Sequence, residues 1–160
     1  MKKLLILLFF SVYTQAQTPY SPIQTPVQSK LPLVQNPNLT PGTVDLVGTK
    51  SNVCTVGYTK TVRNVPQSLK RKVFELYNID PNSDKFEVDH LISLELGGSN
   101  DITNLWPQSY NTFPWNARDK DALENKLHKM VCKGEISLTD AQNEISSDWT
   151  KAYLKYMNNH

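Results

Sequence analysis

Asp89 and His90 stand side by side in the stretch EVDHLISLELGGSNDITNLWPQ, Glu87 to Gln108, and together they carry two groups that phosphodiester hydrolysis needs. An imidazole with an ordinary pKa of about 6.5 is a base at neutral pH and can take a proton from water. A carboxylate is a hard oxygen donor for a divalent ion, which would neutralise charge on the scissile phosphate and the departing oxygen. Neighbours in an extended strand point to opposite faces, so the pair can serve one site only if the strand ends or twists between them. Alone, Asp-His also describes a hydrogen-bonded turn.

The elements around the pair carry more information. KFEVDH reads as a strand ending at His90, and Gly97-Gly98 supplies the unrestricted backbone for a reversal before ITNLWP returns as a second strand. Asn116 is placed to cap a helix with Asp119 as its capping-box partner, Leu123, Leu127, Met130 and Val131 forming the buried stripe and Gly134 the stop. A last helix opens at Ser137 with Asp140, and its buried face is Ala141, Ile145, Trp149, Ala152 and Tyr156. Upstream, NVCTVGYTKTVR alternates around Gly57 as a short β-hairpin would. VPQSLKRKVFELYN predicts a helix with Pro66 at its first position and Leu69, Val73 and Leu76 on its inner face.

VDHLISLELGGSNDITNLWPQSYN resembles the core of the HNH endonucleases of the His-Me finger (ββα-metal) superfamily. VCTVGYTKTVRNVP, KDALENKLHKMVCKG and DAQNEISSDW are similar to a secreted or phage-associated subgroup of HNH-like proteins, so the likeness covers most of residues 50 to 155. It implies an α+β fold, a small ββα-metal core with flanking helices and the short N-terminal β-hairpin. It also implies a metal-dependent endonuclease, a hydrolase acting on nucleic acid, with DNA favoured over RNA. By the same resemblance His90 is the general base, Asp89 a metal ligand, and Asn104 the structural Asn bracing the loop that bears the His. By its distance from His90 and its place after the second strand, Asn111 is the first choice for the closing metal ligand and Asn116, at the helix start, the second; the stretch containing TFPW is longer than the usual motif ending. Mg²⁺ is the first choice of ion by ligand hardness, with Mn²⁺, Ni²⁺ and Zn²⁺ as alternatives.

Other residues carry secondary expectations. Arg118 and Lys120, in the first turn after Asn116, are candidate phosphate contacts at a helix N-terminus. Trp106, Trp115 and Phe113 are candidates for stacking on bases, although Trp106 reads more strongly as packing beneath the Asn104 loop. Lys50, Lys60, Arg63, Lys70, Arg71 and Lys72 form a basic run without an acidic residue among them. His128 shares a helical face with Glu124 and reads as a surface hydrogen bond before it reads as a ligand. No separate recognition motif is present, which favours low sequence specificity.

MKKLLILLFFSVYTQA predicts a signal peptide over 1–16, cut after Ala16, and places the protein in the periplasm or outside the cell. Its apolar run is too short for a membrane span, and none follows. Removing Lys2 and Lys3 reduces the 17 basic residues to the same number as the 15 acidic ones, so any nucleic-acid partner must be met by a local patch. In that oxidising compartment Cys54 and Cys132 are expected to form a disulfide rather than bind zinc. Residues 17–43 hold six of the ten prolines and read as a disordered leader, with one nuclease domain over 44–160. A different class fits the same composition: a non-catalytic secreted module that binds nucleic acid or cell-wall polymer through the basic run and aromatics.

Overall fold

The computed structural model describes residues 34–158, and the expected signal peptide and the front of the proline-rich leader lie outside them. The described chain is α+β. Helices α1 (Lys50–Val53), α2 (Tyr58–Val62) and α3 (Gln67–Leu76) precede strand β1 (Phe86–His90), a loop, strand β2 (Leu105–Ser109), and helices α4 (Ala117–Lys133) and α5 (Leu138–Met157). The strands form a two-stranded antiparallel ribbon in which Asp89 faces Trp106 and His90 faces Leu105. No helix among the described residues is long and apolar enough to cross a membrane.

The termini of α4 follow from local chemistry. Asn116 accepts a hydrogen bond from the Arg118 amide, and Asp119 accepts one from the Asn116 amide, satisfying donors that the helix cannot. Gly134, at φ +79°, closes the other end. The next helix starts on Ser137, whose hydroxyl accepts from the Asp140 amide. It breaks at Asp148, where the backbone is extended and the carboxylate caps the following turn through the Thr150 and Lys151 amides. Leu123, Leu127 and Val131 of α4 pack with Ile145 and Trp149 of α5 on Leu91 and Trp106, forming the core beneath the ribbon.

The expected β-hairpin over NVCTVGYTKTVR is not formed: this stretch folds as α1 and α2. Thr49 caps α1 by accepting from the Asn52 amide, and Gly57, at φ +86°, turns the chain into α2. Among the described residues no third strand offers the stretch a ladder, and its larger apolar groups, Val53 and Tyr58, are buried instead. The helix α3 begins one residue later than expected, with Pro66 as its cap, and buries Val73 and Phe74 while Leu76 is exposed. Part of the segment expected as a loose leader is built into the domain. Gln35 donates to the Ser146 carbonyl, Thr40 donates to the Leu105 carbonyl, and the Gly42 amide donates to Thr103.

A disulfide joins Cys54, just past α1, to Cys132 in the last turn of α4, across 78 residues. It fastens the α1–α2 segment to the helix that underlies the ribbon.

Candidate active site

The loop over 91–104 must reverse tightly for β2 to return beside β1, and Asn104 holds it. Fully buried, Asn104 accepts from the Ile92 amide at 3.0 Å and donates to the Ile92 and Ser99 carbonyls at 2.9 Å each. These bonds satisfy backbone groups of an irregular segment with no ladder of its own. Gly98 is required because a Cβ there would lie 1.7 Å from the Ile92 carbonyl oxygen.

The ribbon ends in a cleft of about 330 Å³ containing Asp89 and His90, with Arg63 on one side, Ser93 and Glu95 from the loop, and Asp121 and Glu124 from α4. Both members of the pair reach it because β1 stops at His90, where the Leu91 amide already bonds to Asn104. The Ser93 hydroxyl is buried and has no hydrogen-bond partner among the described residues, which leaves it available to a ligand oxygen.

The state of the imidazole follows from its neighbours. Asn100 donates its Nδ2 to the Val62 carbonyl at 2.8 Å and accepts the Asn64 amide at Oδ1, so Oδ1 is an acceptor. His90 Nε2 lies 3.1 Å from that oxygen and must donate to it, which places the proton on Nε2 and leaves Nδ1 with its lone pair. Burial holds the ring's pKa below the ordinary histidine value, with the Arg63 and Lys120 charges adding to the effect against the Asn100 bond and the Asp89 charge. The ring is therefore neutral at neutral pH, with an unprotonated nitrogen on a residue that lines the cleft.

Asp89 is held by a lysine. Lys120 is fully buried, and its ammonium donates to Asp89 Oδ2 at 2.7 Å, to the His90 carbonyl at 2.7 Å, and to Glu124. An ammonium has three donors, and all three are used. Burial opposes this charge, but the Asp89 and Glu124 carboxylates and their hydrogen bonds raise the Lys120 pKa above the ordinary value. Burial pushes the Glu124 carboxyl up to about 8 against the opposing effect of Lys120, with which it still pairs.

Of the residues singled out from sequence, Asp89, His90 and Asn104 come together, Lys120 joins them as the buried partner of Asp89 and of the His90 carbonyl, and Arg63 of the basic run lines the cleft; the remaining candidates lie elsewhere. Asn111 follows β2 beyond the Phe86–Ser109 end of the ribbon, opposite to the end that carries His90, and does not line the cleft. Asn116 spends its side chain on the helix cap. Lys120, expected to meet a phosphate, is buried and saturated. Arg118 is exposed, 5.7 Å above the Tyr110 ring. Trp106 is fully buried and Trp115 packs against Trp149 and Tyr153, which leaves Phe113 as the exposed member of the expected stacking set. His128 donates to the Val53 carbonyl rather than pairing with Glu124.

The residues around Asp89 do not fit a resident divalent ion. The carboxylate oxygen facing α4 is occupied by an ammonium, and neither Asn111 nor Asn116 reaches the cleft. Among the described residues, the group with three ligand atoms mutually within 4.8 Å is Cys54, His128 and Cys132, whose two sulfurs are tied in the disulfide. His128 lies one turn before Cys132, a spacing that the expectation for the cysteines overlooked.

Asn100 and Ser93 were missed from the sequence. Nothing local marks Asn100, whose partners His90 and Val62 come from other segments. No family model, curated protein or solved structure matches this chain.

Proposed function

We propose that the protein hydrolyses phosphodiester bonds of nucleic acid, DNA in preference to RNA, at the cleft closing the β1–β2 ribbon. In this reading β1, β2 and α4 are the ββα core of an HNH-like endonuclease, working in the periplasm or outside the cell. The observation that carries it is the neutral His90, oriented through Nε2 by Asn100 and left with Nδ1 as a base.

In the proposed step Nδ1 takes a proton from water as the water oxygen bonds to phosphorus. The bond to the leaving oxygen breaks, and that oxygen takes a proton from solvent. Arg63 and the Ser93 hydroxyl are the groups on hand to hold the non-bridging oxygens. Arg63 also lines a neighbouring groove with Lys70 and Arg71, which shares Glu87 and Val88 with the cleft. That continuity gives a polyanion a basic track leading to His90. No step is routed through a metal.

The test is plasmid digestion by the mature protein and by His90→Ala. Cleavage by the wild type is expected, with loss of at least about a hundredfold in the variant under conditions where circular dichroism shows it folded. Full activity in His90→Ala overturns the reading. Binding without cleavage by the wild type leaves the non-catalytic module, which would use the same groove.

A further inference from the structure

We infer that the Lys120 ammonium stands where a divalent ion would sit beside Asp89, so that the cleft is built to work without a resident metal. The inference deepens the nuclease reading, on which its activity arm rests. Helix α4 follows β2 and lays Lys120 and Glu124, one turn apart, against Asp89 at the end of β1. A cation between two carboxylates at this place is a metal's arrangement, but the cation is part of the chain. Lys120 is fully buried against the strand end, and solvent offers it no competing partner.

One ammonium is the shared partner of both acidic groups, Asp89 and Glu124. A divalent ion on Asp89 would meet this ammonium at short range, where like charges repel. Because all three of its N–H groups are taken, Lys120 has none for substrate. It is a positioning residue that fixes the Asp89 carboxylate and, through the His90 carbonyl at 2.7 Å, the peptide that carries the base.

The experiment titrates Mn²⁺, read by electron paramagnetic resonance, into the disulfide-intact mature protein and into Asp89→Asn, Lys120→Ala and the double variant Lys120→Ala with Glu124→Gln. Plasmid digestion is run beside it in chelator and in added Mg²⁺. The wild type is expected to show no Mn²⁺ site that Asp89→Asn removes. Lys120→Ala, with two carboxylates released, is expected to bind Mn²⁺ at least about tenfold more tightly than the wild type and to melt higher in its presence. The double variant keeps one carboxylate and is expected to lose that gain. Folding of Lys120→Ala only when Mn²⁺ is added counts as the same gain. A wild-type Mn²⁺ site lost in Asp89→Asn overturns the inference, whether or not DNA is cut and whether or not Lys120→Ala folds. Cleavage that survives chelator supports it. Cleavage that stops in chelator and returns with Mg²⁺ overturns it while leaving the nuclease reading intact. If the wild type cuts nothing, the nuclease reading falls and the Mn²⁺ arm alone decides the inference.

Discussion

His90 and Asn100 act as one unit, because the amide of Asn100 decides which imidazole nitrogen carries the proton. Asn100→Ala frees the ring to rotate and is expected to lower the cleavage rate by about a hundredfold, the scale of an ångström's misplacement in a reacting group. The sign of its pH effect is fixed. Burial lowers the folded-state pKa of His90 and the Asn100 bond raises it, so removing the bond lowers it further. In the proposed mechanism the acid limb of the rate profile, expected below the ordinary histidine value of about 6.5, should move to still lower pH. A limb that moves upward would show that Asn100 acts otherwise. The same lowered value means that the unfolded chain binds the proton more readily, so acidification through that range also lowers stability. None of this is legible around His90 itself, since Asn100 lies ten residues on in an aperiodic loop. Lys120 was more legible. It stands in the register of Leu123, Leu127 and Val131, and Glu124 one turn away is a natural partner, yet its charge argued for the surface.

At the scale of elements, the loop over 91–104 is the part on which the site depends. Asn104→Ala would leave the Ile92 amide and the Ile92 and Ser99 carbonyls without their side-chain partner in a dry interior. A loss of about 2 to 4 kcal/mol is expected, measured by urea unfolding. A loss below about half a kcal/mol would mean that the loop is held by its other contacts. Strand, loop, strand and capped helix could be read in order because caps, glycine reversals and strand alternation act within a few residues. The hairpin expected over NVCTVGYTKTVR was not formed because alternation describes a strand only where another strand is free to pair. Here β1 and β2 pair with each other, and Val53 and Tyr58 find burial in short helices.

Across the whole molecule, the Cys54–Cys132 disulfide ties the segment leading to Val62 and Arg63 onto α4. Val62 holds Asn100, so the pin also bears on His90. Replacing both cysteines by serine is expected to destabilise the fold by up to about 4 kcal/mol from the unfolded-state entropy of so long a loop. It should also slow cleavage at temperatures where the protein stays folded, as α2 loosens from the cleft. An unchanged melting temperature would remove the disulfide from the account of stability. The segment over 35–43 is part of the fold and has to be kept in the protein used for these measurements, since it reaches Tyr77, Leu105 and Ser146.

Reading along the chain was enough for the strands and helix that position the cleft, for the two ends of α4, and for the adjacency of Asp89 and His90, because each depends on neighbours within a turn or a strand. The cysteine pairing was also legible, there being two cysteines and an expected export signal. The burial of Lys120, the placement of Asn111 at the wrong end of the ribbon, and the hold of Asn100 on the imidazole came from the packed fold alone. Those outcomes depend on which helix face is buried against which strand end, and buried charges settle where partners from distant segments can satisfy them.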